Sequence, residues 1–305
     1  MSDLNEIRAW CEQARPLFIC GLARSGTSML QVAFARHAEM YNIKNCRETH
    51  IFVRPRTAID DPVHVPTKLY LKSRDNLMAY RKLVRQLEIQ SGKPLSEQDL
   101  IRVFFWYAST SVYPGRQPLE KTPGHLKKLP LVFEVFPKAK VVVCSRDPVD
   151  VVASYRKRLQ KSREEGMAES SLKWLNKSTQ EMLDVFKRFT KLVKEAQPQH
   201  GADMFMAPYE WLVADPEPAL RQVCTFAGFE FDPVMLKAKD DEVPDPDAED
   251  APDAVSTMAA SSQITQRKSD AHKVMSPEEI EFITQGTQDW MPLWRQPGPL
   301  AASPT

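Results

Sequence analysis

The residues best placed to do chemistry lie in Gly21-Leu-Ala-Arg24-Ser25-Gly26-Thr27-Ser28. The apolar run Pro16 to Cys20 before them reads as a strand, and the amphipathic stretch Thr27 to His37 after them reads as a helix. A glycine-bracketed turn between strand and helix points backbone N–H groups and a helix N-terminus at one spot, which suits a phosphate or similar oxyanion. Nucleotide hydrolases use G-x-x-x-x-G-K-[ST] for this purpose. Here Thr27 stands at the lysine position and Arg24 supplies a cation inside the loop, with hydroxyls from Ser25, Thr27 and Ser28. That set fits a phosphate-bearing ligand without requiring ATP and magnesium.

Two further segments carry candidate ligands. Val141-Val-Val-Cys-Ser-Arg146 reads as a buried parallel strand with an arginine at its carboxyl end, where α/β folds bind ligands. Ser154, eight residues on, can share an anion with Arg146 only if the arginine side chain runs along the following helix. Asp147 precedes Pro148 and so reads as a helix cap followed by proline at the first helical position, not as a magnesium ligand. In Leu119-Glu-Lys121-Thr-Pro-Gly-His125, the lysine ends a short strand or loop and could reach the same crevice. Taken singly, each has a plainer reading: a structural turn, a helix-surface serine, a surface lysine.

The elements that must position these residues alternate in type. Helical spacing covers Asp3 to Ala14, Leu69 to Ile89, Ser96 to Tyr107, Leu126 to Phe136, Pro148 to Arg158, Leu172 to Val193, Pro216 to Phe226 and Ser276 to about Trp290. Strand-like runs lie at 16–20, 51–53, 139–144 and 204–206. Strands alternating with helices predict an α/β class with a parallel sheet. The chain of 305 residues has ordinary hydrophobic (42%) and charged (27%) content and a net charge of +1, too neutral for a nucleic-acid binder. Its five cysteines are odd in number and lack C-x-x-C, which excludes a disulfide framework or zinc site; Cys20 and Cys144 read as buried thiols. No targeting segment or membrane-length apolar run is evident, so a cytoplasmic protein is expected. Residues 240–255 read as an exposed acidic loop within one domain spanning 1–296, and 297–305 as a disordered tail.

Together, the three motifs resemble the sulfotransferases that use 3′-phosphoadenosine 5′-phosphosulfate (PAPS). Gly21 to Ser28 is similar to that family's 5′-phosphosulfate loop, and Val143-Cys-Ser-Arg146-Asp-Pro through Ser154 to its 3′-phosphate motif. Glu120-Lys121-Thr-Pro resembles the lysine motif of carbohydrate and bacterial members, and Tyr209-Glu-Trp-Leu the segment near the adenine. The likeness runs from about Pro16 to about Ile283. It implies a three-layer P-loop-like sulfotransferase fold, with a mainly parallel central sheet flanked by helices.

The resemblance also implies roles. Arg24, Ser25, Gly26, Thr27 and Ser28 would hold the phosphosulfate, Arg146 and Ser154 the 3′-phosphate, with Tyr209 alongside and Arg267 and Lys268 closing over the nucleotide. Lys121 and Arg24 would stabilise the charge of transfer. Small-molecule members carry Lys-Thr-His with a catalytic histidine, whereas here Pro123 follows Lys121-Thr122 and His125 is displaced. Arg47-Glu48-Thr49-His50 resembles the Glu-x-His segment of glycan sulfotransferases, which makes Glu48 the expected base, assisted by His50 or His125. No metal is implied; the product nucleotide would be 3′,5′-ADP. The acceptor hydroxyl or amine is left open among small molecules, lipids and glycans, with Phe104 to Tyr107 and Tyr113 as one possible pocket wall. A P-loop kinase or hydrolase, and a non-catalytic nucleotide-binding module, are the alternatives. Neither oligomeric state nor acceptor follows from the sequence.

Overall fold

The computed structural model describes residues 3–41, 48–56, 70–236 and 269–300. Six strands form one sheet in the order β2-β3-β1-β4-β5-β6: β1 Leu17–Gly21, β2 Met40–Tyr41, β3 Gln117–Lys121, β4 Lys140–Ser145, β5 Met204–Pro208 and β6 Gly298–Pro299. The first five pair parallel and β6 joins β5 antiparallel. The chain leaves β1 for one side of the sheet, forms β2 and β3, then returns to build β4 to β6 on the other. A crevice therefore opens at the carboxyl ends of β3, β1 and β4.

Strand periodicity divides the core in two. Phe18 and Cys20 of β1, with Val141 and Val143 of β4, face one apolar cluster; Leu17 and Ile19, with Val142 and Cys144, face another. Helix α1 (Leu4–Gln13) and the helices Arg74–Ser91, Glu97–Tyr107 and Pro148–Glu164 cover the first face. Helix α2 (Thr27–Ala35) and helix Pro216–Ala227 cover the second. This is the three-layer α/β arrangement expected from the sequence. The free thiols of Cys11, Cys20, Cys144 and Cys224 are all buried.

Several boundaries move for local reasons. Ser73 accepts from the backbone of Asn76, so the regular helix expected from Leu69 starts at Arg74. The helix after Asp147 continues past Arg158 to Glu164. Ile51 to Val53 form a turn rather than a strand, because Val53 and Arg54 both donate backbone bonds to the His50 carbonyl. Phe104 and Phe105 are fully buried in the aromatic core, and Tyr107 and Tyr113 nearly so, which is a core place rather than the expected pocket wall. The expected disordered tail is corrected at its start: Gly298 and Pro299 pair with β5, and Leu300 donates to the Met204 carbonyl and is buried. An edge place beside β5 gives this short segment backbone partners that composition did not reveal. The acidic loop 240–255 and residues 301–305 lie outside the described residues.

Candidate active site

Four neighbouring parallel strands each deliver one group at their carboxyl ends. Lys121 ends β3, the loop Gly21 to Gly26 leaves β1, Arg146 follows β4 and Tyr209 follows β5. Register sets their relation: Ile19 lies beside Lys121, Gly21 beside Cys144, and Ser145 beside Pro208. Gly21 is required by that packing. It sits at φ +129°, and a Cβ there would fall 2.2 Å from the Cys144 carbonyl oxygen.

The loop closes on itself, and α2 starts without a side-chain cap. Ser25 is buried, and its hydroxyl is 2.5 Å from the Leu22 carbonyl and 3.1 Å from that of Cys144. Its backbone N–H also turns inward, to Leu22. Ser25 thus braces the loop against β4, and its expected hydroxyl contact to the ligand is corrected: the proton is already committed. Gly26 caps α2 with no side-chain hydrogen bond, so no side chain of the cap covers the first N–H groups of the helix. A Cβ at Gly26 would lie 2.9 Å from the Tyr209 ring. Arg24 holds φ +70°, a conformation disfavoured for a residue with a Cβ, and its Nε donates to Ser154 Oγ at 3.1 Å. The side chains of Thr27 and Ser28 start α2, with Thr27 buried.

Arg146 lies against this loop. One guanidinium nitrogen donates to the Arg24 carbonyl at 3.3 Å, another lies 3.6 Å from Asp150, and the group sits 4.3 Å over the Tyr209 ring. The side chain therefore does run along helix Pro148–Glu164, and Arg24 bridges from the loop to Ser154 on that helix. Arg146 Nε is buried with no hydrogen-bond partner among the described residues. A buried donor of this kind normally has an acceptor, so the site fits an oxyanion. Asp147 caps the helix by accepting from Val149, as its proline neighbour indicated. Its own N–H donates to Glu210, whose carboxyl is pushed up by burial.

On the other flank Lys121 is almost fully buried, and its Nζ lies 3.0 Å from Glu48 Oε1. Glu48 is one-third exposed, and its second oxygen lies 3.5 Å from His50 Nε2. Burial pushes the half-exposed His50 imidazole below its ordinary pKa, against the pull of Glu48 and Glu120. Its neutral form therefore prevails at pH 7. His125 lies elsewhere than expected. It is 1% exposed, 2.9 Å from the equally buried Glu120, and edge-on to Phe52 at 5.0 Å. It is part of the packing beneath the site and does not face an acceptor.

The Tyr155 hydroxyl is pushed up by burial, lowered by Arg24 and raised by Glu48, so both charges reach it. Lys121 acts on the Cys144 thiol of β4, which burial pushes up to about 12. The sequence alone assigns no role to Tyr155, Glu120, Thr49 or Thr122; the available signal for Glu120 is an acid between Leu119 and Lys121 in a short strand. Arg267 and Lys268 lie outside the described residues.

A family model described as "Sulfotransferase family" matches residues 16–233. The chain belongs to the sulfotransferase family. Solved structures of similar fold include sulfotransferases. The sulfotransferase domain from the curacin biosynthetic pathway is 19% identical with TM-score 0.59, over 90% of this chain and 98% of that one. The sulfotransferase domain of the Synechococcus PCC 7002 olefin synthase is 17% identical with TM-score 0.53, over 90% and 95%. A sulfotransferase from Alicyclobacillus acidocaldarius is 18% identical with TM-score 0.50, over 93% and 97%. No curated protein matches the chain. At these identities the structural likeness speaks for the fold alone. Among the described residues, no helix is long and apolar enough to cross a membrane, and no cluster of three or more His, Cys, Asp or Glu side chains could hold a metal.

Proposed function

We propose that this sulfotransferase takes its sulfuryl group from PAPS and transfers it, by in-line displacement, to a hydroxyl or amine of an acceptor. The observation that supports the donor is the buried, unpartnered Nε of Arg146, together with the start of α2, which has no side-chain cap. On this reading a 3′-phosphate sits at Arg146 and Ser154, and a 5′-phosphosulfate at Arg24 and the N–H groups at the start of α2. A nucleoside triphosphate chelated to magnesium would instead call for the lysine that Thr27 replaces.

In the reaction the bond between sulfur and the 5′-phosphate oxygen breaks as a bond from the acceptor oxygen or nitrogen to sulfur forms. Charge spreads over the sulfuryl oxygens and the departing 3′,5′-ADP. Arg24, Lys121 and the loop amides supply fixed positive charge where that negative charge develops. Glu48 takes the acceptor proton, and His50, neutral and 3.5 Å away, passes it outward. Lys121 orients Glu48 through their 3.0 Å contact.

Thermal-shift titration with 3′,5′-ADP against ATP and magnesium tests the nucleotide. Stabilisation by 3′,5′-ADP without metal is expected, and a preference for ATP with magnesium overturns the reading. Labelled PAPS offered with phenols, alcohols, sugars and amines then identifies the acceptor class.

A further inference from the structure

Beneath Lys121 and Glu48 lies a carboxylate that touches neither nucleotide nor acceptor in the proposed reaction. Glu120 is 1% exposed, yet every contact it makes leads to the segment that bears the base. Its Oε1 accepts from the Thr49 hydroxyl at 2.7 Å, from the Thr49 backbone N–H at 3.3 Å, and from the Thr122 hydroxyl at 2.8 Å. Thr122 Oγ1 in turn lies 3.5 Å from the His50 backbone N–H. Oε2 faces His125 Nδ1 at 2.9 Å, and the His125 ring holds Phe52 edge-on. Three successive anchors, at residues 49, 50 and 52, thus tie one segment to β3 through a single buried acid and its partners.

The chemistry of that acid is unusual for a packing role. Burial alone would raise its pKa, but His125 and the two threonines outweigh burial and bring the carboxyl down to about 2. A buried polar cluster contributes little net stability compared with apolar residues of the same volume. It does fix geometry, because each lone pair dictates where a donor must sit. His50 stands at φ +52°, a conformation that the contact of its backbone N–H with Thr122, just after β3, helps to hold. Glu120 and Lys121 are adjacent on β3, so the same strand end that carries the cation also sets the segment that carries its partner Glu48.

We infer that Glu120 is a positioning residue: it registers the Glu48–His50 segment against Lys121 so that base and cation face one reacting centre. This inference rests on the sulfuryl-transfer reading above. Misplacement of a reacting group by about 1 Å costs on the order of a hundredfold in rate, so Glu120→Gln should lower turnover by about tenfold to a hundredfold. Affinity for 3′,5′-ADP should stay within about twofold, because Arg146 and the loop do not touch Glu120.

The test measures three quantities on wild type, Glu120→Gln, Thr49→Val and Thr49→Ser: turnover of labelled PAPS with the best acceptor of the screen (or water where none is taken), 3′,5′-ADP affinity, and amide hydrogen exchange. The expected result is reduced turnover at unchanged nucleotide affinity in Glu120→Gln and Thr49→Val. Thr49→Ser should retain turnover, and exchange should rise at residues 48–52 but not in β1. Thr49→Val carries the test if Glu120→Gln does not fold. Unchanged turnover and unchanged exchange, or nucleotide affinity falling in step with turnover, overturns the inference. A wild type that binds 3′,5′-ADP but releases no sulfuryl group overturns the transfer reading instead, and the exchange data then still decide whether Glu120 anchors the segment.

Discussion

On the β4–β5 side of the site, Arg146 is held by the Arg24 carbonyl, by Asp150 one helical turn away, and by the Tyr209 ring that follows the adjacent strand. On the β3 side, Lys121 meets Glu48 and Glu120 meets Thr49 across more than seventy residues of chain, through buried side chains rather than backbone turns. The first flank is built from strand ends and a glycine loop that the parallel sheet sets side by side, although its contacts span more than a hundred residues of chain. The second is built from a side-chain network that has meaning only once β3 is in place. Binding groups are thus set by backbone, and the proposed transfer groups by a buried polar cluster that fixes their register.

Substitutions can separate the two flanks, beginning with the largest effect. Lys121→Ala should lower turnover on the order of a hundredfold or more while 3′,5′-ADP, which lacks the sulfuryl group, binds nearly as before; steady-state kinetics with calorimetry checks both. Arg146→Ala should do the reverse. Losing a charged partner of the 3′-phosphate costs about 2 kcal/mol or more, so 3′,5′-ADP affinity should fall on the order of thirtyfold while 5′-AMP affinity hardly changes. Equal losses for the two nucleotides would dissolve the distinction between the flanks.

Smaller effects sharpen it. Ser25→Ala removes the hydroxyl that braces the loop against the Leu22 and Cys144 carbonyls. A loss of about 1 to 2 kcal/mol in stability is expected, read by denaturant unfolding, with nucleotide binding largely retained below the transition. The smallest effect at neutral pH belongs to the titration of Glu120. Its folded pKa of about 2 lies below the ordinary 4.5, so the stability it contributes is complete above about 4.5 and is lost as pH falls toward 2. Wild type should lose stability through that window, and Glu120→Gln should show a flatter acid-unfolding curve.

The same contrast explains what could be read in the chain. The α/β class, β1, β4, the turn at Gly21 and the capping role of Asp147 follow from periodicity and from Gly and Pro chemistry acting over a few residues. Arg146 at a strand end was legible for the same reason. Ser25 was misread because a loop hydroxyl looks alike whether it turns outward or, as here, back to two carbonyls. His125 was kept as a candidate to assist Glu48 because its burial depends on Phe52, distant in sequence, and on Glu120. Phe104 and Phe105 lie in the core, and no local sign in the sequence separates core from pocket wall there. The strand at 298–299 escaped notice because two residues carry no period. Glu48 came from resemblance; its contact with Lys121 is a long-range pairing that local patterns do not encode.

The central claim is that the Glu48–Lys121 pair performs transfer at a site where Arg146 and the loop bind the donor. The most direct measurement is sulfuryl transfer from labelled PAPS, at saturating donor, by wild type and Glu48→Gln side by side. Transfer by wild type and a loss of about a hundredfold or more in Glu48→Gln is the predicted result. Equal transfer by the two proteins would contradict it.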